Sequence, residues 1–200
     1  MIRIINLFFI IFFLLSAKAY SLIEIDITRG NLDPLPIAVS PLFQDDNSKR
    51  NSINELKIEN VGSEISLVVE NNLKISGLFN PLSKEAFLQK PDIAHLKPRF
   101  EDWALIKAQA LITGKVTIED KKLKVEFRLW DILAGREMMA LAFTTVPSNW
   151  RRVGHIISDK VYERLTGEKG YFDTRIIYVS EEGPKTARVK KLAIMDQDGF

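Results

Sequence analysis

Hydrophobic and polar residues alternate or recur along this chain with periods that set out most of its elements. Ile23, Ile25 and Ile27 alternate with Glu24, Asp26 and Thr28, a period of two that predicts a half-buried strand. Gly30 to Pro36 is turn-rich, and Ile37-Ala38-Val39 reads as a short buried strand closed by Pro41. Gln44 to Asn54 is polar and lacks periodicity, so a loop is expected there. Val61, Ile65, Val68, Val69 and Leu73 fall at helical spacing with Gly77 just beyond as a stop. Phe100, Trp103, Ala104 and Ile106 suggest a shorter helix, with Glu101 and Asp102 favouring its first turn. Leu123, Val125, Phe127 and Leu129 alternate with Lys124, Glu126 and Arg128, the clearest amphipathic strand. Strands at about 111–119 and 137–145 would make it the middle of a meander. A second long helix carries Trp150, Val153, Ile157, Val161 and Leu165 on one face, with Ser148 expected as its N-cap and Gly167 ending it.

Two apolar helix faces need a sheet face to cover, so the pattern predicts an α/β fold: a mixed sheet with two main helices packed on one side. After Gly170 the texture changes to strand, turn and strand, from Arg175 to Ser180 and from Val189 to Met195, with no helix. A β-domain begins there, and two strands alone are marginal in water.

The N-terminus changes the picture of where the protein works. Met1-Ile2-Arg3 is a short cationic start, Ile4 to Leu15 is apolar apart from Asn6, and Ala17-Lys18-Ala19 has the small-x-small form of a signal-peptidase site. The apolar run is about twelve residues where a bilayer span needs roughly twenty. Residues 1–19 therefore read as a signal peptide, cut between Ala19 and Tyr20, leaving no integral membrane segment in the mature chain. No Cys occurs, which excludes a lipid-modified cysteine, disulfides, thiol catalysis and Cys-ligated zinc. Of the 28 basic residues, Arg3 and Lys18 leave with the leader, which matches the remaining 26 to the 26 acidic ones. A neutral mature chain gives no electrostatic reason to expect nucleic acid.

There is no Gly-x-Ser-x-Gly elbow, phosphate-binding glycine loop or dinucleotide fingerprint. His95 and His155 are the only imidazoles: His95 has no second ligand at metal spacing and reads as a surface or loop-packing residue, and His155, two residues from Val153 on the last helix, reads as a hydrogen-bonded packing residue. Asp131, between an amphipathic strand and Ala134-Gly135, reads as a turn residue. Asp196-Gln197-Asp198-Gly199 echoes the start of a calcium loop, but Asp-Gly is equally a hairpin signal, and the turn is the expectation. No catalytic residue, cofactor or metal is assigned. The first strand is the feature with functional content, because an extended segment can pair in its own sheet or add to a partner's, and the residues leave both open.

Several segments resemble the TolB family of the Tol-Pal system: Pro36-Ile37-Ala38-Val39, Asn72 through Phe79, Val125 through Asp131, Asn149 through Val153, His155 through Arg175, and Leu192 through Gly199. The resemblance implies an N-terminal α/β domain over 20–168, then a linker and the first strands of a β-propeller over 169–200, a propeller truncated here. It implies a periplasmic, non-enzymatic scaffold between inner-membrane TolA and the peptidoglycan-associated lipoprotein Pal, serving outer-membrane integrity and cell division. It further implies that Tyr20, Ser21, Leu22, Ile23, Glu24, Ile25, Asp26, Ile27 and Thr28 contact TolA, while Pal is met mainly by the propeller. The rival is an exported peptidase with propeller repeats and a serine hydrolase domain beyond residue 200.

Overall fold

The computed structural model describes Ile23, Ile25 and residues 33–200. The leader and its cleavage point, and Tyr20 to Leu22, Glu24 and Asp26 to Thr28, lie outside the described residues.

Among the described residues one six-stranded mixed sheet forms the centre. Strand β1 (Leu35–Val39) runs parallel to β3 (Phe79–Pro81) on one side and β4 (Ala110–Glu119) on the other. Strands β4, β5 (Lys122–Asp131) and β6 (Arg136–Thr145) make the antiparallel meander, giving the order β3-β1-β4-β5-β6. The two-residue β2 (Phe43–Gln44) continues past β1 along the same edge of β4, pairing with Lys115 and Val116. Ile112, Val116 and Ile118 on β4 stand opposite Leu129, Val125 and Leu123 on β5, so the period-two pattern becomes one apolar face.

That face is covered by the two long helices, α2 (Val61–Ile75) and α5 (Trp150–Thr166), whose buried apolar positions join those of β1, β4 and β5 in the principal core. The α/β class, the mixed sheet and the two main helices on one side are as the periodicity requires. The helices cross closely because Gly154 meets Val68: a Cβ there would lie 2.8 Å from Val68 Cγ1. The opposite sheet face is also partly covered. Ala38, Leu111 and Ile132 form a second cluster with Trp103 of α4 (Phe100–Leu105) and Ala94 of α3 (Pro91–Ala94). Trp103 is fixed there by its indole N–H donating to Gln89 Oε1 at 3.1 Å.

Two expectations are corrected. The polar stretch expected to be a loop forms helix α1 (Asp46–Leu56), with Asp45 as N-cap accepting from the Ser48 amide at 2.8 Å. Its buried positions are Ser48 and Ser52 rather than apolar residues, and it docks by hydrogen bonds. Ile118 N–H donates to Ser48 Oγ at 3.2 Å, and Asn51 Nδ2 donates to Ile118 O at 2.7 Å. Two side chains thus take the place of a neighbouring strand at the β4 edge. Ser148 is not the cap of α5: it lies in a 3-10 turn (Pro147–Asn149), and Asn149 precedes the helix without a side-chain cap bond. The Asn149 amide is instead used on Thr145 Oγ1 at 3.0 Å.

Beyond α5, β7 (Arg175–Glu182) and β8 (Val189–Asp196) pair antiparallel as a separate two-stranded sheet.

Candidate functional site

The chain's polar chemistry gathers along helix α5, where the hairpin, the segment before it and the N-terminal residues all meet. His155 and Ser158 point from α5 into the contact with α2. Asn72 Nδ2 lies 3.0 Å from His155 Nδ1 and donates to Ser158 Oγ at 2.9 Å, while Ser158 donates to Gly154 O at 2.9 Å. The other imidazole is far from this seam: His95 Nδ1 donates to Pro91 O at 2.9 Å and its ring stacks on Phe43 at 4.6 Å. Nδ1 of each imidazole thus has a structural partner.

The stretch after α5 is tied down at three points. Asp159 accepts from the amides of Phe172 (2.6 Å) and Asp173 (3.1 Å). Gly170 passes so close that a Cβ would lie 2.4 Å from Asp159 Cα, a spacing no side chain permits. Arg152 holds Asp173 through both Nε and Nη2 at 3.1 Å, and this carboxylate raises the guanidinium's pKa. Phe172 is fully buried in the principal core, its ring edge-on to Tyr162 at 5.8 Å and 4.6 Å from Tyr171. Burial pushes the Tyr171 phenol pKa up.

The turn after β8 returns to the start of α5. Asp196 N–H donates to Phe200 O at 2.9 Å and Gly199 N–H to Asp196 O at 3.0 Å, with Gly199 at φ 85° as the turn demands. Arg151 enters between its two acids: Nη2 reaches Asp198 Oδ2 at 2.5 Å and Nε lies 3.8 Å from Asp196 Oδ2. The guanidinium stacks over the Phe200 ring at 3.8 Å. At the far tip of the hairpin, Lys190 and Arg188 hold the Glu181 carboxyl below its ordinary range.

At the other end of α5, the residues expected to meet a partner are described at two positions. Ile23 and Ile25 are half-buried against the principal core and belong to no strand. Ile25 N–H donates to Leu165 O at 2.7 Å, one of the last-turn carbonyls that a helix leaves without an internal partner. Arg151, Asp159 and Phe172 were not singled out in the sequence. The Asp-x-Asp-Gly run was, and it is the turn that reaches Arg151.

Fold and site together define a mixed-sheet α/β domain, a platform whose second long helix receives both Ile25 and a following β-hairpin. Residues 23–138 match the model of the TolB amino-terminal domain, and the chain belongs to that family. It is similar to the Tol-Pal system protein TolB of Pelagibacter ubique (strain HTCC1062), 78% identical over 192 residues, which cover 96% of this chain and 43% of the relative. The chain thus spans less than half the length of that relative. The crystal structure of TolB from Acinetobacter baumannii shares the fold, with a TM-score of 0.66 at 24% identity over 84% of this chain and 37% of that one.

Proposed function

We propose that this chain works in the periplasm as the amino-terminal part of a Tol-Pal scaffold, linking inner-membrane TolA to the lipoprotein Pal in support of outer-membrane integrity and cell division. The observation that carries this reading is the 78% identity to a Tol-Pal system protein across nearly the whole chain. On this reading export removes residues 1–19, and Tyr20 to Thr28 dock on TolA by strand addition, Ile23, Ile25 and Ile27 supplying the buried side. Ile25, one of the two described positions, supports it by using its backbone N–H on Leu165 O, the kind of main-chain bond that strand addition exchanges. Residues 169–200 are the linker and first strands of a propeller that carries most of the Pal surface. In support, Ile177, Val179, Leu192 and Ile194 are exposed on the hairpin, as strands of a larger sheet would leave them before their neighbours are added.

The test is calorimetric titration of the mature chain with the C-terminal domain of TolA, beside a variant lacking residues 20–26. The deletion should abolish binding. Unchanged affinity would refute the docking role.

A further inference from the structure

We propose that His155, Asp196 and Asp198 form a binding site for one divalent transition-metal ion of the zinc type, between α5 and the turn that follows β8. One ligand atom from each residue lies within 4.8 Å of the others. An imidazole nitrogen with two carboxylate oxygens is a donor set that suits zinc and its neighbours rather than calcium, which takes oxygen alone.

The imidazole makes this more than a pair of acids on a turn. His155 is 2% exposed, yet its Nε2 is buried without a hydrogen-bond partner, directed at Asp196 Oδ2 3.6 Å away. Asp198 Oδ1 is likewise buried and unpartnered, although Oδ2 of the same carboxylate takes Arg151. Buried polar atoms are satisfied in the great majority of cases. Two orphaned ligand atoms in one three-residue cluster are both explained by a cation held among them.

Charge and reach agree with this. Two carboxylates against Arg151 leave one negative charge beside the imidazole, and Arg175, 4.0 Å from Asp196 Oδ1, is largely in solvent. Arg151 occupies Oδ2 of Asp198 and so turns Oδ1 inward. Tetrahedral zinc with bonds of about 2.0–2.2 Å spaces its ligand atoms about 3.3 Å apart, so the three must draw together by up to ~1.5 Å. Asp196 closes β8 and Asp198 lies on the turn after it, with side chains 27% and 13% exposed, so the approach asked of them is one of side-chain rotation. Water completes the shell.

Asn72 would serve as the outer partner that a metal-bound histidine needs. Metal at Nε2 places the ring proton on Nδ1, where an acceptor is required. Asn72 Oδ1 is buried and unpartnered, and a half-turn of the amide brings it onto Nδ1–H; Ser158, which now accepts from Nδ2, then turns its own proton from Gly154 O onto Oδ1. An ion held this way fastens the hairpin's last turn to the α/β unit.

The experiment is calorimetric titration of the whole mature chain, first stripped with a chelator, with zinc chloride, repeated with cobalt(II) while its visible absorption is followed. One ion per chain is expected, with cobalt bands of tetrahedral intensity. His155→Gln and Asp198→Asn should each weaken zinc at least about tenfold. His95→Gln should leave binding unchanged. Circular dichroism checks that each variant is folded; Asp198, on a turn, keeps the test decisive if His155→Gln is not. Absence of zinc binding by the parent chain up to about 1 mM, weaker than any site that secures structure, would overturn the proposal, as would binding that both site variants retain.

Discussion

Replacing Phe172 with Ala tests whether the segment after α5 belongs to the core or merely follows it. The ring is fully buried among core residues and meets Tyr162 edge-on at 5.8 Å. Phe→Ala in a core costs about 3–5 kcal/mol, depending on how far the site can collapse. Here collapse is blocked, because Asp159 holds the amides of Phe172 and Asp173 and Gly170 is already against Asp159 Cα. The upper half of the range, about 4 kcal/mol, is therefore expected. For a chain of this size, each kcal/mol moves Tm by roughly 2–4 °C, which gives a fall of about 8–16 °C. Thermal unfolding followed by circular dichroism and by tryptophan fluorescence measures it. Tyr171→Ala is the control: its ring contacts the same cluster but is 41% exposed, so a loss of about 1–2 kcal/mol is expected. A fall of less than about 3 °C for Phe172→Ala, or equal losses for the two variants, would mean that the segment adds nothing to the α/β core.

Gly154→Val should destabilise by about 1–3 kcal/mol through overpacking, and Val68→Ala should recover part of the loss in a double-mutant cycle; additive effects would contradict the close helix crossing. Ser48→Ala removes the acceptor from the buried Ile118 amide and should cost about 1–3 kcal/mol, with faster hydrogen exchange at Ile118 than in the parent chain. Asp45 has its pKa lowered mainly by hydrogen bonds from Ser48, with Lys115 and Lys49 assisting. A carboxyl depressed in the folded state stabilises above its unfolded pKa and loses that contribution as pH falls through the folded value. Asp45→Asn should therefore be less stable than the parent in urea above about pH 5, with the difference shrinking below about pH 4; a constant difference would refute the assignment.

Helices α2 and α5 and strand β5 were legible because each buries apolar residues at its own period, so one physical rule fixes both the element and its inward face. Helix α1 was not legible. Its inward face is Ser48, Asn51 and Ser52, and an apolar count cannot see a helix held by hydrogen bonds to the exposed edge of a strand. Of the short helices on the second face, α4 was legible from Phe100, Trp103 and Ala104, whereas the four-residue α3, with Ala94 as its one buried position, is too short to carry a period. Ser148 had the right chemistry for a cap and lost to the 3-10 turn, which starts at Pro147 and moves the helix start past it.

The seam along α5 was hidden by sequence distance. Arg151 meets Asp198 across 47 positions and Asn72 meets His155 across 83, and neither separation carries a period. What the sequence did hold was each half of every contact in plausible local form: an Asp-Gly turn, a helix rich in arginine, a histidine among apolar neighbours. Local form sufficed for the turn and the helix, because those depend on backbone preference. It could not give the seam, because a buried ion pair is stable only where a third element excludes water, here the α5 face against the hairpin's last turn. The same dependence makes the seam a sensitive reporter of how the hairpin sits. If the turn leaves α5, Arg151 loses Asp198 and the Phe200 ring together, so one local opening should expose both at once, as a single step in hydrogen exchange rather than two.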